Sequence, residues 1–159
     1  MSFDVAGLRR QQDAMLRQIE KATDRAIEAI GFRAEYTAKI SSPGKTYQMR
    51  GGWKHRSWRS GSKVNGELFN MVPHALYQEE GTGLWGPRRA KYPIVPLRKK
   101  FLSWVKGGQR FFARKVMHPG VKPKYIGHAA VFGRSAPFVG EDHSRNVATI
   151  ERELSTATR

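Results

Sequence analysis

The first forty residues carry an apolar stripe that a long helix would place along one side. Small and apolar side chains recur there at steps of three, four or seven residues, at Leu8, Met15, Ile19, Ala22, Ala26, Ile30 and Ala34. Charged residues fill much of the remaining surface of such a helix. The periodicity predicts an α-helix over residues 1–40. The stripe favours packing against the protein's own sheet, and a coiled-coil seam is the alternative.

Shorter elements are predicted after this helix. Residues 41–62 follow a Ser-Ser-Pro-Gly break and are rich in Gly, Lys and Arg, which predicts a basic flexible loop. Residues 63–132 predict a sheet-containing core, whose clearest signal is a hairpin joined by Lys106-Gly107-Gly108-Gln109. Residues 133–159 form a C-terminal extension with a predicted helix from Ser144 to Ala157.

These elements together predict the α+β class. We expect the long N-terminal helix to pack on a small, mostly antiparallel sheet, with a C-terminal helix after it. A chain of 159 residues is long enough to bury one core, so a single domain over residues 1–159 is expected.

Positive charge is concentrated in the middle of the chain. Residues 41–140 carry nineteen Lys/Arg and three Asp/Glu, whereas the two flanking segments are nearly neutral, and residues 81–140 contain no acid. Such a field attracts polyanions and repels a copy of itself. Nucleic acid is one partner that fits, an acidic protein is another, and a solvated surface without a partner is the third interpretation. We expect the strongest field at six cations: Arg88, Arg89, Lys91, Arg98, Lys99 and Lys100.

The stretch "EEGTGLWGPRR" contains the spacing G-x-G-x-x-G at Gly81, Gly83 and Gly86, which is also the spacing of phosphate-binding loops. A dinucleotide loop follows a buried strand and opens a helix, with an acid about twenty residues further on. Here polar residues precede the glycines, prolines follow them, and no acid lies downstream before Glu141. The sequence therefore favours a turn at these glycines over a nucleotide site.

Other catalytic patterns are not supported by the sequence. The chain has no cysteine, its five histidines are scattered, and its paired carboxylates are adjacent in sequence at Glu79-Glu80 and Glu141-Asp142. We expect a protein that is not an enzyme and binds no cofactor or metal ion. No apolar run reaches the length of about 18 residues that spans a bilayer, so no membrane partner is expected.

One segment resembles a known family. The string "NMVPHALYQEEGTG" is similar to the signature of tail-completion (neck or minor tail) proteins of long-tailed bacteriophages, on the basis of Asn70, Pro73, Ala75, Tyr77, Glu80, Gly81 and Thr82. The family also has a Pro/Gly segment before a basic Trp-Arg strand, which Pro43, Gly44, Trp58 and Arg59 resemble. Later matches form the third part of the resemblance: Ile94, Pro96, Lys99, Lys100, Leu102, His118, Pro119, Gly120, Lys122 and Pro123.

The resemblance covers residues 40–130 and implies a structural role in the virion. It implies a subunit that completes or joins the tail at the head–tail junction, as part of a homo-oligomeric ring that contacts other neck and tail proteins. It also implies location in the virion and in the host cytoplasm during assembly. A ring lumen lined by Lys and Arg would meet packaged DNA without reading its sequence. The alternative function is sequence-independent nucleic-acid binding outside a virion.

Four tryptophans are expected to anchor contacts between side chains. Trp53, Trp58, Trp85 and Trp104 are interpreted as core or subunit-interface anchors, with stacking on nucleic-acid bases as the alternative.

Overall fold

The computed structural model describes residues 4–44, 47–133 and 144–157. Long and short helices are combined with antiparallel strand pairs, so the predicted α+β class is confirmed. The described part of the chain divides into two compact units. Unit 1 combines residues 1–72 with 126–159, and unit 2 contains residues 73–125.

Helix α1 (Val5–Ser41) is the longest element of unit 1, with 37 residues and a length of about 55 Å. Its N-cap residue is Asp4, whose side chain accepts a hydrogen bond from the backbone N–H of Gly7 at 2.8 Å. Its buried positions are all alanines: Ala22, Ala26, Ala34 and Ala38. The predicted helix is therefore confirmed.

Only the second half of the α1 stripe is covered within unit 1. It packs against a strand pair and two later helices of the same unit. Leu8 and Met15 lie on the first half and are exposed. The predicted packing against the protein's own sheet therefore holds from Ala22 onward, because no described element of unit 1 buries the helix before that residue.

The region predicted as the basic loop 41–62 is largely regular structure, so that prediction is wrong. It contains a short helix, α2 (Gln48–Gly52), and strand β1 (Trp53–Ser60), which pairs antiparallel with β2 (Lys63–Asn70). The exposed positions of β1 carry lysine and arginine because that side of the pair is open to solvent, and its charged composition is what resembled a loop. Lys45 and Thr46 lie outside the described residues.

Two later helices complete unit 1. Helix α4 (Ile126–Phe132) and helix α5 (Ser144–Ala157) both pack on α1. The predicted C-terminal helix 144–157 is confirmed at the same bounds. Most of the remaining C-terminal extension, residues 134–143 and 158–159, lies outside the described residues.

Unit 2 is built from short elements. Helix α3 (His74–Glu80) is followed by a 3-10 helix (Gly83–Trp85) and strand β3 (Tyr92–Ile94). Strands β4 (Leu102–Lys106) and β5 (Gln109–Ala113) form the predicted hairpin, and β6 (Val116–His118) pairs antiparallel with β3.

The strands within the described ranges form three two-stranded sheets in place of the single small sheet that was expected. The predicted core 63–132 is divided as well, since β2 and α4 belong to unit 1 while the residues between them form unit 2. Whether the two units act together as one domain stays a prediction.

Candidate motif junction and basic surface

Two segments with the family resemblance meet in unit 2, although 34 residues separate them in sequence. The backbone N–H of Thr82 donates to the carbonyl of Val121 at 2.9 Å, and that of Leu84 donates to the carbonyl of Pro119 at 2.8 Å. The N–H of Val121 in turn donates to Oγ1 of Thr82 at 3.0 Å. We call residues 77–84 and 119–124 the motif junction. Its backbone groups are satisfied by each other, which fixes the two segments side by side.

Glycines allow the close approach in the motif junction. Gly81, Gly83 and Gly120 have φ angles of 76°, 65° and 100°, a region that other L-residues rarely adopt. A Cβ on Gly83 would lie 2.2 Å from the carbonyl oxygen of Pro119, and a Cβ on Gly120 would lie 1.9 Å from that of Thr82. The G-x-G-x-x-G spacing thus serves a turn packed on the chain's own backbone.

A cleft of about 590 Å³ lies beside the motif junction within unit 2. Its wall is mainly apolar, formed in part by Leu76 and the rings of Tyr77 and Tyr92. Glu80 and Arg88 add one charge of each sign to the lining. Tyr77 and Glu80, which the family resemblance singled out, are therefore exposed at a concave surface, whereas Gly81 is buried beneath it.

Asn70 has a different role from the other motif residues. It ends β2 in unit 1, where Nδ2 donates to the carbonyl of Met49 at 2.8 Å and Oδ1 accepts from the N–H of Val72 at 2.9 Å. The side chain of Asn70 therefore fixes the backbone where it leaves the strand pair. The residue after it, Met71, donates its backbone N–H to the carbonyl of Gly52, the last residue of α2.

The six predicted cations all lie on loops of unit 2 and are all exposed. Arg88, Arg89 and Lys91 lie between the 3-10 helix and β3, and Arg98, Lys99 and Lys100 lie between β3 and β4. No described carboxylate forms an ion pair with any of the six. Unit 2 contains twelve Lys/Arg and two Glu in all, a net charge of +10.

The tryptophans separate into one core residue and three exposed ones. Trp53 is 3% exposed and donates from Nε1 to Oγ of Ser42 at 2.7 Å, so of the two roles expected for it, core residue and subunit-interface anchor, it has the first and not the second. It is a core residue because β1 begins directly against α1 and buries the ring. Trp58, Trp85 and Trp104 are 40–44% exposed and remain accessible to a partner.

Exposed rings of unit 2 lie against cations or other rings. The Lys122 ammonium is 5.8 Å from the centroid of the Trp85 ring, a cation–π contact inside the motif junction region. Trp104 stacks on Phe111 with centroids 5.8 Å apart and an angle of 17° between the planes. These contacts hold the rings in place without burying them.

One polar cluster in unit 1 was not predicted. The side chain of His55 is 8% exposed and lies between two glutamates of α1, with Nδ1 2.6 Å from Glu35 Oε2 and Nε2 3.4 Å from Glu28 Oε1. Lys39 also bonds to Glu35, and Ser57 donates to Glu28. Sequence reasoning missed the cluster because its members come from α1 and β1 and share no local pattern.

This cluster holds both carboxyl groups in the charged form. Burial raises the pKa of Glu35, but hydrogen bonds from Lys39 and His55 outweigh it and lower the pKa to about 2. The hydrogen bond from Ser57 is the main reason that the pKa of Glu28 is also lowered. Helix α1 and strand β1 are thereby connected through charge-assisted hydrogen bonds.

The described residues form neither a metal site nor a membrane-spanning helix. Across 4–44, 47–133 and 144–157, no three His, Cys, Asp or Glu side chains are placed to hold a metal ion. None of the helices in those ranges is both long and apolar enough to cross a membrane. Comparison with family models, curated proteins and solved structures found no match to this chain.

Proposed function

We propose that this chain is a structural virion protein that completes or joins the tail of a long-tailed bacteriophage at the head–tail junction. It acts there as a subunit of a ring, in contact with other neck and tail proteins, and carries out no catalysis. It resides in the virion and passes through the host cytoplasm during assembly. The proposal rests on the resemblance of residues 40–130 to that family.

The motif junction is the observation that carries the proposal. Tyr77 to Thr82 and Pro119-Gly120 resemble the family in two separate parts of the sequence, and their backbones bond to each other. Residues that must be glycine for this approach, Gly81 and Gly120, are among the matching ones. This contact gives a physical reason for the two segments to match the family motif together.

The uncovered surface of unit 2 supports an assembly role. Ala75 is its one buried apolar side chain, whereas Leu97 is 96% exposed and many aromatic side chains are partly accessible. Apolar surface of this kind is stabilised when a neighbouring subunit covers it. A ring or neck subunit has such neighbours on several sides.

Disruption of the gene in its phage tests the proposal. Filled heads and free tails are expected to accumulate unjoined, and antibodies to the chain should label the neck of intact virions. A plasmid-borne wild-type copy should restore joining, and L97D should not, because a charge would meet the neighbouring subunit. S62D, at an exposed turn of unit 1, is the control and should restore joining. Normal joining without the gene would reject the proposal.

The exposed cations of unit 2 favour one second candidate, a nucleic-acid-binding protein that acts outside a virion. Binding of short duplex DNA over a salt series separates the two functions. Submicromolar affinity near physiological salt with a steep salt dependence favours the second candidate. Weak binding by the isolated chain favours the ring subunit, whose contacts with DNA depend on assembly.

A further inference from the structure

The β4–β5 hairpin is a ribbon that pairs with no third strand among the described residues. Its register runs from Leu102 opposite Ala113 to Lys106 opposite Gln109. Gly107 and Gly108 form the turn with φ angles of 57° and 80°, the left-handed pair typical of two-residue hairpins. An isolated two-stranded ribbon is only marginally stable in water, so a surface that receives it would add stability.

Both faces of the ribbon are open. Trp104 and Phe111 lie opposite each other on one face, and each is 40% exposed. Val105 and Phe112 lie on the other face and are 63% and 65% exposed. Directly opposed residues of an antiparallel pair share a face, and successive residues alternate. The ribbon therefore has no side that is covered by the rest of unit 2.

Positive charge surrounds the ribbon. Lys106 lies on the Trp104 face beside the turn, and Arg110 lies on the Val105 face. At the base, the Arg114 guanidinium is 5.6 Å from the centroid of the Phe101 ring. Lys99, Lys100 and Lys115 flank the same base and are exposed. No described carboxylate neutralises any of these six cations.

We propose that the β4–β5 hairpin enters the major groove of duplex DNA and contacts the phosphates on both sides of the groove. The inference rests on the proposed function for the choice of DNA as the duplex. Strands of five residues reach about 17 Å, and the groove is about 12 Å wide and 8.5 Å deep and admits a two-stranded ribbon. Lys106 and Arg110, on opposite faces, then point to opposite walls.

The distribution of charge and rings favours DNA over an acidic protein. A groove has a phosphate strand on each side, which requires cations on both faces of the ribbon, whereas a protein surface would meet one face. Trp104 and Phe112 can lie against the sugars along the groove walls. Contacts of this kind position the ribbon and read no sequence.

Fluorescence anisotropy with a short duplex DNA, measured over a low-salt series, tests the inference. K106A/R110A is expected to bind at least 10-fold more weakly at 50 mM salt. Its plot of log affinity against log salt concentration should be shallower by about 1.8, since each phosphate contact contributes about 0.9. K106R/R110K retains both charges and should keep the wild-type slope.

The matched control is K54A/K63A, which removes two exposed lysines from β1 and β2 in unit 1 and so loses the same net charge. Its affinity should change less than 3-fold. Equal losses in both double variants would overturn the inference, because charge alone would then explain binding. Poly-glutamate is the competitor that represents an acidic protein. The inference would be overturned in favour of such a partner if poly-glutamate displaced the labelled DNA more strongly than an unlabelled duplex does and this competition depended on Lys106 and Arg110.

This result is separable from the test of the proposed function. If head–tail joining survives loss of the gene while the slope still depends on Lys106 and Arg110, the function fails and the hairpin inference stands. If joining requires the gene but the slope of log affinity against log salt concentration is unchanged in K106A/R110A, only the hairpin inference fails.

Discussion

Single glycines decide whether the two halves of the motif junction can touch. Gly120 has a φ of 100°, and the carbonyl oxygen of Thr82 occupies the place of a Cβ. Gly83 meets the carbonyl of Pro119 in the same way. A side chain at either position would push apart two backbone segments that are hydrogen-bonded to each other. A substitution there therefore adds the loss of these hydrogen bonds to the free-energy cost of the steric overlap.

G120A is expected to lower the free energy of unfolding by about 2–4 kcal/mol, because overlap is added to left-handed backbone strain. G107A is the control, since Gly107 has a φ of 57° but nothing near its Cβ position. The control should cost only about 1 kcal/mol. Denaturant unfolding of both variants measures the difference. Equal costs would mean that strain, and not the close approach, governs both sites.

His55 and Glu35 illustrate a second residue-scale effect, in which burial and hydrogen bonding oppose each other. Gly31 makes room for the His55 ring, because a Cβ there would lie 2.5 Å from the ring. Phe32 packs edge-on against the same ring with centroids 4.4 Å apart. The packed ring holds its nitrogens toward the carboxylates, which keeps Glu35 ionised to low pH.

Acid should therefore destabilise unit 1 through Glu35. The folded-state pKa of about 2 lies below the ordinary value of 4.5, so the stabilisation is complete above pH 4.5 and is lost as pH falls toward 2. E35Q should cost about 1–3 kcal/mol at neutral pH and flatten the decline in this window. E67Q, which breaks the exposed pair with Arg56, should cost less than about 1 kcal/mol at neutral pH. An unchanged slope in E35Q would contradict the assignment.

At the scale of elements, helix α1 has an exposed first half and a second half, from Ala22 onward, with a buried face. A26L should destabilise the protein by about 1–3 kcal/mol or more, because Ala26 is fully buried and the added volume has no space. A14L is the matched control on the exposed half and should change stability by less than about 0.5 kcal/mol. Thermal unfolding of the two variants compares them. Similar melting temperatures would show that the buried face is loosely packed.

Elements with a strong local pattern could be predicted from the sequence. The α1 stripe and the Gly107-Gly108 hairpin carry their periodicity and turn chemistry within a short window. Strand β1 could not, because its open side carries Lys54, Arg56 and Trp58 and Trp53 is its one buried apolar residue. A strand with one solvated face and little apolar alternation has the composition of a loop.

Within the candidate site, too, local features could be predicted from the sequence and contacts between distant segments could not. Exposure of the predicted cations followed from the charge of the segment, whereas the pairing of Thr82 with Val121 depends on contacts between residues far apart in sequence. The sequence left Trp53 between a core and an interface role for that reason too, since its partner Ser42 lies at the end of α1. Local residue types do not specify which distant segment will supply a neighbour.

At the scale of the whole molecule, the sequence did not indicate that the chain leaves unit 1 and returns to it. Residues 73–125 form unit 2, and α4 then packs back on α1. The two units differ in charge as well, because unit 2 contains no acid beyond Glu79 and Glu80. The positive excess of the chain is therefore mostly a property of the unit that carries the motif junction and the hairpin.

A net charge of +16 opposes self-association of the isolated chain. The Debye length falls from about 30 Å at 0.01 M salt to about 3 Å at 1 M, so repulsion between copies weakens as salt rises. If the chain forms a ring, its sedimentation coefficient should increase with salt, and K99A/K100A should associate at lower salt than wild type. The exposed apolar surface of unit 2 supplies the attraction that remains once repulsion is screened. Dissociation with rising salt would instead show that opposite charges hold the subunits together, which would place the contacts on the mixed-charge surface of α1.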